Sequence, residues 1–351
     1  MIPVSRFQKT LLEWHDNYGR KNLPWQHNPS PYRVWVSEIM LQQTQVTTVI
    51  PYYLRFMDTF PDVQSLASAN LDDVLALWAG LGYYTRARNL HRAAQKIVSG
   101  FDGRFPDTPD QLASLPGIGR STAGAIVSLA FNQPAPMLDG NVKRLWCRLH
   151  DIQTWPGESN TEKRLWQLSE KYLPHSHCRQ YTQALMDFGA TLCTRTKPKC
   201  SACPLRQHCS AYRNGTVPLI PVKKPASIKP VKNSYWLILQ RDSGQFYLLK
   251  HPPAGIWGGM WAFPQWQSRH ALESYCLRHD IDLQRIQWLN KQRHTFTHFH
   301  LDFTPAVYTG PLSTLEIRED SGQWHHFAGS LPAMPAPVKK LVQKLANGSM
   351  G

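Results

Sequence analysis

The sequence predicts a mostly α-helical domain followed by a smaller α+β domain. Three observations carry that prediction. From Phe7 to Leu192 the apolar residues recur at helical spacing, interrupted by Gly, Pro and capping residues. The run Val217 to Lys232, VPLIPVKKPASIKPVK, has no period and is rich in Pro and Lys, which marks a semi-extended basic linker. Beyond it, short β-branched and aromatic runs alternate with turns and two helices. The expected boundaries are residues 1–216, a linker at 217–232, and residues 233–351.

Taken in order, Ser5 is expected to cap a helix with Phe7, Leu11, Trp14 and Tyr18 on one face. A second helix is expected from Tyr32 to about Val49, burying Trp35, Ile39, Val46 and Val49. On it Glu38 and Gln42 lie four apart, which puts them one above the other. The surrounding Ser37-Glu38-Ile39-Met40-Leu41-Gln42-Gln43-Thr44 holds no other charge. A carboxyl in so apolar a stretch loses hydration and stays protonated near neutral pH, the state a general acid needs. The bland alternative is a solvated surface carboxylate.

Further helices are expected at 51–60, 65–69 and 71–78. Ala79-Gly80-Leu81-Gly82-Tyr83-Tyr84 then reads either as a helix cap with core aromatics or as a planar wedge, Tyr83, for a base stack. Arg86, Arg88, His91 and Arg92 read as a basic helix face.

Thr108-Pro109-Asp110 is a capped start for a short helix to Leu115, and Pro116-Gly117-Ile118-Gly119 breaks it before a longer one from Arg120 to Phe131. Neither Gly117 nor Gly119 has a Cβ, so another backbone can approach the turn, and unpaired N–H groups opening the second helix make an anion site. This is an ordinary interhelical turn or a clamp on a nucleic-acid backbone. Asp139, twenty residues past Gly119 in Leu138-Asp139-Gly140-Asn141-Val142, favours the clamp. Asp139 also reads as the N-cap of a helix from Val142 to Leu149, after which helices are expected at 161–173 and 179–192.

The net charge of +15 favours a polyanionic partner. No stretch approaches the roughly 18 apolar residues of a membrane span. Met1 to Arg6 lacks a signal peptide's apolar core, so a soluble, cytoplasmic and nucleoid-associated protein away from membranes is expected, and a monomer is expected alongside. Of seven cysteines, four follow the spacing Cys193-x6-Cys200-x2-Cys203-x5-Cys209. Four thiolates so close in a reducing compartment indicate metal or cluster ligation, and a disulfide framework would not look like this. Zinc is the other tenant for such a set, although its structural sites usually pair two short Cys-x2-Cys knuckles.

In the second domain, strands are expected at 235–240 and 246–250 around a turn at Asp242-Ser243-Gly244, then a glycine- and aromatic-rich loop from His251 to Trp261. A helix at 270–278, strands near 286–289 and 300–307, and a last helix at 338–345 complete it.

Glu38-Ile39-Met40-Leu41-Gln42-Gln43-Thr44, Gly80-Leu81-Gly82-Tyr83-Tyr84, the Gly117/Gly119 hairpin, Leu138-Asp139-Gly140-Asn141-Val142 and the cysteine loop, in that order, resemble the helix-hairpin-helix, Gly/Pro-Asp superfamily of DNA glycosylases. The second domain resembles the Nudix-related, MutT-like module of one branch, the adenine DNA glycosylases. The resemblance implies a helix-hairpin-helix glycosylase domain with a [4Fe-4S] loop of endonuclease III type on Cys193, Cys200, Cys203 and Cys209, and a C-terminal α+β Nudix-like domain. It implies base excision repair of adenine paired with 8-oxoguanine or guanine in duplex DNA, with Glu38 and Asp139 as catalytic residues. Leu41, Gln42, Gln43, Tyr83, Gly117, Gly119, Ser121 and Asn141 are the implied DNA contacts. Superfamily members that cut the strand carry a Lys at the position of Ser121, to form a Schiff base with the sugar. Ser121 therefore implies a monofunctional enzyme. The family's Phe-Ser-His loop for 8-oxoguanine corresponds to Phe296-Thr297-His298, where Thr keeps the hydroxyl and adds a methyl. Alternate histidines on that strand leave a zinc site as the other reading. Only Glu273 occupies the helix where a Nudix hydrolase has its Glu-rich Mg²⁺ motif, so recognition without nucleotide hydrolysis, and no nucleotide cofactor, are expected. Docking by other repair proteins is expected without any residue that identifies them.

Overall fold

The computed structural model describes residues 2–225, 228–241, 243–252, 255–311, 322–329 and 331–347. Asp242 of the expected turn, Ala226 and Ser227 of the expected linker, and Pro253 and Ala254 of the aromatic loop lie outside the described residues. The chain forms two compact units, Met1–Ala69 with Arg86–Pro225, and Asn70–Thr85 with Ala226–Gly351.

Helices run in the order α1 (Val4–Tyr18), α2 (Pro31–Leu41), α3 (Val46–Thr59), α4 (Val63–Ser68), α5 (Leu71–Trp78), α6 (Thr85–Gly100), α7 (Pro109–Ala113), α8 (Arg120–Phe131), α9 (Gly140–Leu149), α10 (Ser159–Lys171), α11 (Cys178–Asp187) and α12 (Ser210–Arg213). All but α5 belong to the first unit. Its core gathers aromatic rings from distant segments: Phe7 lies 5.2 Å from Trp146 and 4.9 Å from Tyr172, and Trp146 stacks on Tyr172. Each such ring, fully buried, contributes about 2–3 kcal/mol.

Several expectations need correction. Ser5 lies inside α1, whose N-cap is Pro3. Thr108 does precede α7, but its hydroxyl donates to Gln111 Oε1 and leaves the helix N–H groups alone. The single helix expected from Tyr32 to Val49 is two, α2 and α3, because Arg86 stops the first. Its Nη1 donates to the carbonyls of Ile39, Met40 and Gln42 at 2.8, 2.8 and 2.6 Å, and its Nη2 to Thr44 Oγ1 at 3.2 Å. A cation on the terminal carbonyls satisfies the orphan acceptors and opposes the negative end of the dipole. Gln42 is therefore the C-cap, outside the helical stack over Glu38. The same observation divides the expected basic face of α6. Arg86 and His91 are buried, the latter on Ala69 O, and only Arg88 and Arg92 keep exposure.

The expected linker is also shorter. Ile220 is buried in the first unit, and β1 already begins at Val231. Residues 70–85 group with the second unit, where Lys250 pairs with Asp72 at 2.7 Å and Leu71 and Leu75 lie beside Gly259.

In the second unit the described residues form eight strands, β1 (Val231–Arg241), β2 (Gln245–Lys250), β3 (Trp261–Ala262), β4 (Gln265–Trp266), β5 (Ile286–Trp288), β6 (Gln292–Thr295), β7 (His300–Tyr308) and β8 (Gly322–His326). The sheet runs β3-β2-β1-β7-β5, with β1 and β7 parallel at its centre, β4 on β1, β6 on β7 and β8 on β2. Helices α13 (Arg269–Arg278) and α14 (Ala336–Ala346) cover its two faces. Alternation along β1 explains this: Trp236 and Ile238 pack with Val338 and Leu341, while Leu237 and Leu239 pack with Leu272 and Cys276. Strands β3, β4, β6 and β8 are too short or too polar to announce themselves by periodicity.

Candidate active site and cysteine loop

A cleft of about 1610 Å³ in the helical unit collects most of the predicted site. Leu41, Gln42 and Gln43 enter it from the end of α2, Ser121 and Thr122 from the start of α8, and Asp139 and Asn141 from the start of α9. Glu38 lines it too. Seven cations, Arg20, Lys143, Arg144, Arg148, Arg195, Lys223 and Lys224, line the cleft, and Glu38 and Asp139 are the only carboxylates among its lining residues. Such a wall concentrates a polyanion and singles out two acids.

These acids have different surroundings. Glu38 sits half-buried on α2 between buried Ser37 and Ile39, and among the described residues no donor bonds to its carboxyl. Burial first, and then the negative charge of Asp139, raise its pKa to about 7. Asp139 is the N-cap of α9: Val142 N donates to Oδ1 at 2.7 Å and Asn141 Nδ2 to Oδ2 at 3.1 Å. Burial raises its pKa as well, but those donors, the Asn141 N–H and the charge of Arg144 all pull the other way. One carboxyl thus holds its proton up to near neutral pH and the other is provided with donors for its anion, the division of labour that acid and charge stabiliser require.

The hairpin turns through Gly117, whose φ of +79° suits glycine, and Gly119 caps α8 with open space where a Cβ would stand. Ser121 Oγ accepts from Leu138 N at 3.0 Å, which ties the start of α8 to the residue before Asp139. Gln42 Nε2 reaches Thr122 Oγ1 at 3.3 Å, and exposed Gln43 holds a left-handed φ of +57°, a strained arrangement for a non-glycine residue. Tyr83 also has a left-handed φ, +50°, and is 51% exposed, but it belongs to the second unit.

Behind Asp139 a chain of bonds leads to the cysteine loop. Asn141 Oδ1 accepts from Arg144 Nη2 at 2.8 Å, and Arg144 Nε donates to Cys193 O at 2.7 Å. The helical turn between α11 and Cys193 widens to π geometry at Phe188–Leu192, where a Cβ on Gly189 would meet Asn141 at 2.5 Å. Cys193, Cys200, Cys203 and Cys209 line one apolar cavity with Leu145, Leu149 and Leu205, and all are free thiols. Burial and mutual proximity push the thiols of Cys200 and Cys209 up, and Cys203 to about 12. Four sulfurs around one apolar cavity, with Arg148 Nη1 3.4 Å from Cys193 Sγ, are a donor set that fits a cationic inorganic core. Among the described residues no three His, Cys, Asp or Glu side chains are placed to hold one metal ion.

A second recess of about 210 Å³ was not anticipated from sequence. It shares Arg20 with the cleft and is lined by Trp25, Gln26, Val34, Ser37 and Gln183. Val34 and Ser37 lie on the helix that carries Glu38. Buried Asp187 fixes it, accepting from Arg20 N, Nε and Nη2 and from Gln183 Nε2. A lone Arg and a lone Gln from segments 163 residues apart leave no local signal.

In the second unit Phe296 to Phe299 forms the turn between β6 and β7. Phe296 N donates to Phe299 O at 2.9 Å, Phe296 stacks on Phe299, and Thr297 and His298 are exposed. Arg293 clamps Asp302 across the hairpin at 2.5 and 2.9 Å. On α13 Glu273 is paired with Arg269 at 2.7 Å.

Residues 36–171 match the model of the HhH-GPD superfamily of base excision DNA repair proteins, and residues 235–344 match the NUDIX domain. The adenine DNA glycosylase of Buchnera aphidicola subsp. Baizongia pistaciae (strain Bp) is 37% identical over 340 residues, covering 97% of this chain and 96% of its own. That of Mus musculus is 32% identical over 413 residues, covering 99% of this chain and 79% of its own. Among solved structures, a non-covalent endonuclease III–DNA complex aligns with a TM-score of 0.52 at 22% identity, over 61% of this chain and 99% of that one, a likeness of fold.

Proposed function

Because the chain belongs to the adenine DNA glycosylases of the HhH-GPD base excision repair superfamily, we propose that it acts as a monofunctional enzyme on adenine opposite 8-oxoguanine or guanine in duplex DNA. The observation that carries this reading is the pair Glu38 and Asp139, one holding its proton up to near neutral pH and one supplied with donors, alone among seven cations.

Adenine within a duplex is out of reach, so it must be flipped, at a cost smaller for a mispair. Gln42, Gln43 and Leu41 fill the space it leaves, and Tyr83 is a planar wedge for a base stack. The recess with Trp25, Gln26 and Gln183 accepts the base, ring against Trp25 and amides toward its polar edge. Glu38 donates its proton to adenine N7, so the base departs neutral. As the glycosidic bond breaks, Asp139 stabilises the positive charge growing on the sugar, electrostatically or through a short-lived covalent bond. Water then adds to the sugar carbon and leaves an abasic site. Ser121 has no amine and its hydroxyl is already engaged by Leu138 N, while Lys143 is paired with Glu162 at 2.5 Å, so no free amine from these two positions competes with water. Exposed Thr297 and His298, on the turn braced by Phe296, supply the polar groups for the oxidised base. Cys193, Cys200, Cys203 and Cys209 would hold a [4Fe-4S] cluster, which would serve to fix the cationic loop.

The test is a single-turnover assay on duplexes with A opposite 8-oxoguanine, G or T. Release of free adenine from the first two, with strand breaks only after alkali, is the expected result. Strand cleavage without alkali, or equal release opposite T, overturns the reading.

A further inference from the structure

Residues 217–224, expected as the start of a linker, form a wall of the catalytic cleft: Val217, Ile220, Lys223 and Lys224 all line it. This wall is fastened along its length. The carbonyl of Ile220, itself 2% exposed, accepts from Nε of buried Arg148 at 2.9 Å. The same guanidinium donates to the carbonyls of Thr194 and Arg195 at 2.7 and 3.0 Å, so one side chain ties the wall to the cysteine loop. At the far end Lys224 Nζ stands 5.4 Å from the ring of Trp155, another lining residue. Among the described residues neither Lys223 nor Lys224 has an ion-pair partner, although Lys143 in the same cleft is neutralised by Glu162. A flexible tether would need none of these fastenings, and two unneutralised ammonium groups on a fixed wall call for an external anion.

We infer that Val217–Lys224 is a strap that grips the sugar–phosphate backbone of duplex DNA, with Lys223 and Lys224 on phosphates and Arg148 as the positioning residue that sets the strap against the cysteine loop. The inference rests on the cleft being the DNA site. Phosphate contacts carry no sequence or lesion information, so the strap supplies affinity and orientation and leaves discrimination to the base contacts.

The test uses the full-length protein, with binding followed by fluorescence anisotropy between about 50 and 200 mM salt, the range over which phosphate contacts are most evident. One duplex carries a 2′-fluoro-adenosine, which resists excision, opposite 8-oxoguanine, and the other is undamaged. Lys223→Ala with Lys224→Ala is expected to weaken both duplexes by the same factor, about tenfold or more near 0.1 M salt, and to lower the slope of log K against log salt by about 1.8. Lys339→Ala with Lys340→Ala, exposed on α14, removes the same charge elsewhere and is expected to change neither. An unchanged slope in the strap variant, or a loss confined to the damaged duplex, overturns the inference. Wild-type protein that binds DNA with this salt dependence but releases no adenine sinks the proposed activity and leaves the strap standing. Adenine release with an unaltered slope sinks only the strap.

Discussion

Glu38→Gln is expected to lower the single-turnover rate of adenine release by about 10²- to 10⁴-fold, the range that a positioned proton donor supplies. Gln matches Glu in size and can still hydrogen-bond, but it has no proton to give. Duplex affinity, measured separately, is expected to stay within about twofold, since phosphates supply most of it. The wild-type pH profile follows from the same residue. Glu38 is active protonated and titrates near 7, so the rate is level below that pH and falls about tenfold per unit above it. A stability measurement gives an independent reading. Glu38 has a folded pKa above its ordinary 4.5, so its ionisation weakens the fold as pH rises through the interval from 4.5 to about 7. Glu38→Gln is therefore expected to raise Tm above pH 7 and to leave it unchanged well below 4.5. A variant that loses activity and gains stability is what a strained functional carboxyl produces. Loss of both would make Glu38 a structural residue, and retained activity would remove it from the mechanism.

The residues that lie close together in sequence were the legible ones. Glu38 could be suspected because its neighbours are apolar, Asp139 because it follows a Gly-x-Gly hairpin and caps a helix, and the four cysteines because of their spacing. Illegible were the groups whose role depends on a partner far along the chain. Arg86 looks like one member of a basic face, and only its reach to Ile39, Met40 and Gln42 shows it ending α2 before Gln42 can stack over Glu38. Arg148 likewise shows no purpose until Ile220 and Arg195 are beside it. The recess around Gln183 and Arg20 depends on Asp187, a buried acid that periodicity can only mark as unusual. In the second unit β1, β2 and β7 were recognisable because each is a short run of apolar and aromatic residues bounded by turn residues, buried almost continuously since both faces of the sheet are covered. Two-residue strands such as β3 and β4 exist only through their partners, and no local pattern specifies them.

Asp139→Asn separates fold from chemistry more cleanly than any other change in the cleft. Asn caps a helix as well as Asp does, so the bond from Val142 N survives and the start of α9 is kept, whereas Asp139→Ala costs about 1 kcal/mol by losing the cap. The direction of the Asp139 shift points the same way, because burial raises its pKa and an uncharged replacement removes that penalty on the fold near neutral pH. Excision should nonetheless fall by about 10²- to 10³-fold, the loss that follows removal of one preorganised group facing a developing charge. An Asn variant with an intact melting transition and excision within about tenfold of wild type would leave Asp139 with its capping role alone. Because Glu38 and Asp139 act on one bond in one transition state, Glu38→Gln combined with Asp139→Asn should lose little more than the worse single variant. Fully multiplicative losses would instead mean that proton donation and charge stabilisation contribute independently and do not act as a unit.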